Sequence, residues 1–248
     1  MVHWASSGMT HRGNRRRTNE DCILERPEQG LWVVADGMGG HSAGDVASRA
    51  ICTGLETLTL DGTLSDKVDQ VEDRLLEVNE SLRLLAEEKS AADGTPATVG
   101  STVVSVLVDE QVGVALWAGD SRLYRCRQGQ LRQITRDHNP IADLLDSGAV
   151  TEAEAIAADT NVVTRAVGGQ YGLTLDVAVF DLRPGDLLLL CSDGVYRELP
   201  HEQLERLLAP AALAPGFGLD LLARELVSLC LGGEARDNLS VVLAGLEG

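Results

Sequence analysis

Carboxylates recur where the apolar runs of this chain end. Asp36 closes Leu-Trp-Val-Val-Ala (31–35) and is followed by Gly37. Asp120 follows Val-Ala-Leu-Trp-Ala-Gly (114–119), and Asp193 ends Leu-Leu-Leu-Leu-Cys-Ser (187–192) with Gly194 behind it. Asp237 stands just before Leu-Ser-Val-Val-Leu-Ala-Gly (239–245), and Glu20 and Asp21 open Cys-Ile-Leu-Glu (22–25). An acid at a strand end is rigidly held yet open to solvent, and a glycine beside it lets a ligand approach the backbone carbonyl. Several such acids brought together repel one another unless cations lie between them. Hard carboxylate, carbonyl and water oxygens select Mg²⁺ or Mn²⁺ over zinc. One Asp-Gly alone is an ordinary turn. Apolar runs have no common folding reason to end in acids, so the repetition points to a divalent-metal site. Spacing alone leaves open whether the acids meet.

The remaining composition narrows the chemistry. The chain has 248 residues and a formal net charge of −17, so a nucleic-acid backbone would be repelled. A phosphorylated substrate would need a local positive device, and Arg12, Arg15, Arg16 and Arg17 form a basic stretch in an otherwise acidic protein. Cys22, Cys52, Cys126, Cys191 and Cys230 are scattered, with no CxxC pair. That argues against a disulfide framework or zinc site and for a reducing, cytoplasmic setting. No cysteine is expected to act as a nucleophile, and Cys191 reads as a buried strand residue. The first residues lack the apolar core of a signal peptide, and no run is long enough for a membrane span.

Elements must position those acids. Short apolar, β-branched runs at 22–25, 31–35, 101–108, 112–118, 122–126, 173–180, 186–192 and 239–245 read as strands. Hairpin-like loops between several of them favour antiparallel pairing. Val68, Val71, Leu75, Val78, Leu82 and Leu85 fall in steps of three and four, which predicts an amphipathic helix packed on a core. Ala47, Ala50, Ile51, Leu55 and Leu58 predict another, and 201–209 and 218–231 two more. The order does not alternate strand and helix, so antiparallel sheets with helices packed outside, an α+β fold, fit better than a doubly wound parallel sheet. A single domain over 1–248 is expected.

Arranged in order, the segments GNRRRTNED, VVADGMGGHSAGDVAS, TVGSTVVSVLV, WAGDSRLYR, ITRDHN, NVVTRAVGG, LLLLCSDGVYREL and RDNLSVVL resemble the metal-dependent PPM or PP2C-like serine/threonine phosphatases, in their compact bacterial form. The resemblance covers almost the whole chain. It implies two packed antiparallel sheets flanked by helices, an α-β-β-α sandwich, with metals in a cleft at one edge. Asp36 would bridge two Mn²⁺ or Mg²⁺ ions, one of them also bound by the Gly37 carbonyl. Asp193 and Asp237 would complete the other ion's protein ligands, while Glu20 and Asp21 would act mainly through metal-bound waters. Asp120 with Asp193 would form a weaker third site.

The implied reaction is hydrolysis of phosphoserine and phosphothreonine by direct attack of a metal-bridging hydroxide, opposing a bacterial Ser/Thr kinase. Arg16 matches the phosphate-binding arginine, and His41 is the candidate general acid. His138 and Arg165 read as structural. Residues 139–163 match a flap beside the active site, with a helix, a glycine stop and a Thr-capped helix. Here the chain departs from the family, carrying AADTN where relatives commonly have a His-Pro-like pair. Phosphorylated proteins are the expected partners of a monomeric, cytoplasmic enzyme that needs no nucleic acid or membrane. The alternative is a catalytically inactive or partner-gated phosphoprotein-binding regulator.

Overall fold

The computed structural model describes residues 3–39, 43–151, 162–213 and 218–247. In one sheet, β1 (His3–His11), β11 (Leu239–Glu247), β10 (Leu187–Cys191), β7 (Arg122–Arg127) and β8 (Gln130–Gln133) lie side by side in that order. In the other the order is β2 (Asp21–Arg26), β3 (Leu31–Met38), β5 (Val103–Asp109), β6 (Val112–Ala118) and β9 (Asp176–Asp181), with β4 (Gly100–Ser101) beside the end of β3. Every pairing among these strands is antiparallel. Each central strand lies between a helix layer and the facing sheet, so both of its faces are buried and its run reads as apolar throughout rather than alternating.

The side chains sort by parity into three layers. From β3, Leu31, Val33 and Ala35 face helices α1 (Ala43–Glu56) and α2 (Leu64–Asp93), where they meet Ile51, Leu55, Val71 and Leu75. Trp32 and Val34 point the other way and join Val106, Trp117, Leu188, Leu190 and Val242 between the sheets. From β10, Leu187, Leu189 and Cys191 pack outward on α5 (His201–Leu213) and α6 (Leu219–Gly232). The stack is helices, sheet, sheet, helices, as the sequence predicts.

The helix expectations hold with longer bounds. Val71, Leu75, Val78 and Leu82 are all buried along α2, and Thr63 caps that helix reciprocally with Asp66. Leu58 of the expected first stripe lies beyond α1 but packs on the same core. Within the expected flap, the first helix is α3 (Pro140–Asp146), and Gly148, at φ +69°, stops it with its N–H on the Leu145 carbonyl. The second helix expected there falls on residues outside the described ones. A short helix, α4 (Asp193–Glu198), follows β10.

Two strands carry no apolar signature. β1 runs through Ala-Ser-Ser-Gly-Met-Thr and pairs along its whole length with β11, while β8 is four residues long. Among the described residues, no helix is long and apolar enough to cross a membrane.

The inter-sheet layer joins the two sheets. Leu190→Ala should lower the unfolding free energy by about 3 kcal/mol, seen as a lower urea midpoint with an unchanged slope. Val179, 70% exposed on edge strand β9, should tolerate alanine within about 0.5 kcal/mol.

Candidate functional site

The sheet registers bring the acids to one end of the sandwich. Asp21 at the start of β2 stands directly opposite Asp36 near the end of β3. Like charges in that register are destabilising by themselves. From the facing sheet, Asp193 enters as the first residue of α4 after β10, and Asp237 sits two residues before β11. Asp120 lies in the turn between β6 and β7.

Three of these carboxylates are nearly lost to solvent: Asp21 at 7%, Asp120 at 4% and Asp193 at 8% exposed. Asp36 keeps an open edge, but the atoms packed around it and the charges of Asp21, Asp193, Asp120 and Asp237 push its pKa well above the usual carboxylate range. Burial raises Asp21 to about 7, with Asp193 and Asp237 adding to the rise and hydroxyls of Ser240 and Ser192 opposing it. Asp120 also rises to about 7 through burial and the charges of Asp193 and Asp137, with Arg197 opposing. Asp193 is raised by burial against the relief of Arg197, whose Nε lies 3.0 Å away. Glu20, less enclosed, is raised by burial and held down partly by Arg16.

Two oxygens in this group, Asp21 Oδ1 and Asp193 Oδ1, are buried with no hydrogen-bond partner. A buried carboxylate oxygen without a donor is costly, and an all-oxygen donor set around such orphans fits a hard divalent cation. Among the described residues, no three or more His, Cys, Asp or Glu are arranged to hold an ion by themselves. Backbone carbonyls and waters would have to complete the shell, which is the habit of Mg²⁺. Gly37 suits that role. A Cβ there would lie 2.1 Å from the Gly44 carbonyl oxygen and 2.6 Å from that of Glu20, so only glycine lets the N-terminus of α1 close on this loop.

Hydrogen-bonding residues fix the acids in place. Ser192 Oγ donates to Asp21 Oδ2 at 2.9 Å and accepts the Ser240 N–H at 3.0 Å, joining the two sheets beneath the cluster. Thr102 Oγ1 accepts the Asp36 N–H at 3.2 Å and pairs with Ser121 Oγ at 2.7 Å. Asn238 accepts the Glu20 N–H and donates to the carbonyls of Arg12 and Thr18, at 2.8, 3.0 and 3.0 Å. Sequence reasoning missed Ser192, Thr102 and Asn238. Their signal was a small polar residue inside or against an apolar strand, where a buried hydroxyl or amide must find partners.

Arg16 reaches the cluster from the loop between β1 and β2. Its Nη2 is 2.7 Å from Asp237 Oδ2, and it remains half exposed. Its pKa is raised chiefly by the hydrogen bond to Asp237. His41 lies outside the described residues.

His138 is structural, as expected. The Gly119 N–H donates to its Nδ1 at 3.1 Å, so the ring proton sits on Nε2, 3.1 Å from Asp176 Oδ2. Burial holds its pKa below the ordinary value, and the ring stacks on Trp117. The pair braces the turn that presents Asp120. Arg165 completes this corner with an ion pair to Asp176.

Cys126 and Cys191 are buried strand residues. Cys126 and Arg132 have the spacing of a thiol-dependent phosphatase loop, but they occupy paired strands β7 and β8. Cys126 is fully buried and burial pushes its thiol up to about 11. Cys191 is buried too, and burial likewise raises its pKa.

Comparison with known proteins agrees with this geometry. The family model described as protein phosphatase 2C matches residues 8–217. The serine/threonine phosphatase stp of Listeria monocytogenes is 33% identical over 207 residues, covering 80% of this chain and 81% of that protein. The structure of PppA, a key regulatory component of T6SS in Pseudomonas aeruginosa, superposes with a TM-score of 0.87 at 37% identity, covering 98% of each chain. The catalytic domain of the serine/threonine protein phosphatase PstP, in complex with two manganese ions, gives a TM-score of 0.85 at 28% identity over 100% of each chain. With this fold, this match across most of its length and relatives of this kind, the chain belongs to the protein phosphatase 2C family.

Proposed function

We propose that this member of the family hydrolyses phosphoserine and phosphothreonine in proteins with Mn²⁺ or Mg²⁺ at the acid cluster, as the counterpart of a Ser/Thr kinase. The observation that carries the reading is the pair of orphaned carboxylate oxygens, on Asp21 and Asp193, within a group of acids contributed by both sheets. Asp36, Asp193, Asp237 and the Gly37 carbonyl would hold two ions, with Glu20 and Asp21 ordering waters around them. Asp120 and Asp193 would hold a third, weaker one. Divalent cations held there supply charge neutralisation and a water activated for attack on phosphorus.

The chain's own residues do the rest. Arg16 offers a planar guanidinium that can take two phosphoryl oxygens at once. To do so it must exchange the Asp237 carboxylate for the phosphate. That exchange costs little, because half of the Arg16 side chain is already in solvent. His41 is assigned the proton for the departing serine or threonine alkoxide, a task that suits an imidazole near neutral pH. The five free cysteines suit a reducing cytoplasm.

The test is turnover of a phosphothreonine peptide with Mn²⁺, with and without EDTA. Strong turnover that EDTA abolishes is expected, and no turnover with metal demonstrably bound would overturn the reading in favour of a phosphoprotein-binding regulator. Asp36→Asn should lower kcat by about 10³-fold or more with an unchanged far-UV spectrum; wild-type rates in that variant would remove Asp36 from the centre. Asn238→Ala breaks the clamp on the Arg12–Glu20 loop and should cost about 2–3 kcal/mol of stability. At a temperature where the variant is still folded, its KM for the peptide should rise as Arg16 loses its fixed position.

A further inference from the structure

The loop that carries Arg16 is anchored at both ends and charged between them. Asn238 holds the carbonyls of Arg12 and Thr18, and the Asn14 N–H donates to Ala235 O at 2.8 Å. Arg12 Nη1 donates to the Arg16 carbonyl at 2.9 Å, tightening the turn from within. Arg12, Arg15, Arg16 and Arg17 are all exposed.

Elsewhere most of the protein's arginines meet carboxylates, among them Arg49 on Asp45, Arg122 on Asp137, Arg127 on Asp186 and Arg224 on Asp220; Arg132 and Arg206 are exceptions among the described residues. Arg15 and Arg17, which flank the guanidinium that meets the acid cluster, have no hydrogen-bond or ion-pair partner among the described residues. In a chain of net charge −17 with 38 acids, two exposed cations two positions apart, with no carboxylate partner among the described residues, leave a positive patch beside a negative cleft.

We infer that Arg15 and Arg17 form a docking surface for the acidic residues that flank the phosphorylated residue of a protein substrate. This rests on the phosphatase reading and adds the substrate class. The single phosphoryl group belongs to Arg16; its neighbours on either side are placed to meet the chain that continues away from it. A carboxylate presents two coplanar oxygens that a guanidinium fork matches. A nucleic acid does not fit the same patch, because the overall charge repels an extended polyanion. A short acidic segment, by contrast, brings few charges and meets the arginines first.

The experiment compares two phosphothreonine peptides of equal length, one with Asp and Glu on both sides of the phosphothreonine and one with alanines there. p-Nitrophenyl phosphate serves as a substrate with no flanks. The wild type with Mn²⁺ should show a KM about five- to tenfold lower for the acidic peptide, a preference that shrinks between 50 and 300 mM salt. Arg15→Ala/Arg17→Ala should erase the preference without changing p-nitrophenyl phosphate turnover, and Arg15→Lys/Arg17→Lys should keep most of it. Equal KM values in the wild type, or a preference that survives the double alanine variant, would overturn the inference while leaving the phosphatase reading intact. Loss of turnover on all three substrates in the wild type would remove the reaction, and this inference with it.

Discussion

Everything at the working end of this protein follows from one electrostatic difficulty. Two antiparallel strands place Asp21 and Asp36 face to face, and the opposing sheet delivers Asp193 and Asp237 to the same region. Carboxylates so placed raise one another's pKa and bury oxygens without donors. A fold has no reason of its own to accept that cost. It persists because the surrounding structure over-determines it, which is how strain is kept at functional sites.

The over-determination is visible in the supporting residues. Ser192 and Ser240 lock β10, β11 and β2 together under Asp21, and Thr102 with Ser121 ties β3 to the turn that carries Asp120. Asn238 serves three backbone groups with one side chain. The inter-sheet core then makes the two sheets one body, so acids from separate sheets keep their spacing. None of these residues carries a negative charge. Among the described residues the cluster's charge is offset at its rim, by Arg16 on Asp237 and Arg197 on Asp193.

Legibility in the sequence divides along the same line. The layered fold was readable because its cause is local: apolar runs with β-branched residues, and Val71, Leu75, Val78 and Leu82 at helical steps. The strand-end acids were readable as a repeated anomaly, though Asp-Gly by itself says only turn. β1 was not readable, since Ala-Ser-Ser-Gly-Met-Thr has no strand signature and is held by its pairing with β11. That is tertiary context overriding propensity. Ser192 and Asn238 stayed hidden for a related reason. Their partners are Asp21 and Glu20, more than 170 and 200 positions away, and no local pattern records a contact of that range.

The same contrast explains why the arginine loop stands apart from the centre it serves. The acids are fixed by strand register, so their positions tolerate little change. The loop between β1 and β2 is held by Asn238, by the Ala235 carbonyl and by its own Arg12–Arg16 hydrogen bond, and the exposed side chains of Arg15 and Arg17 can differ without disturbing either sheet. A chemistry shared by a family can therefore sit on the rigid part of the scaffold, while the choice of substrate, as inferred for Arg15 and Arg17, sits on exposed guanidinium groups beside it. The division is a physical one: positions that set the field at phosphorus must be rigid, and positions that sort substrates need only be charged, exposed and near.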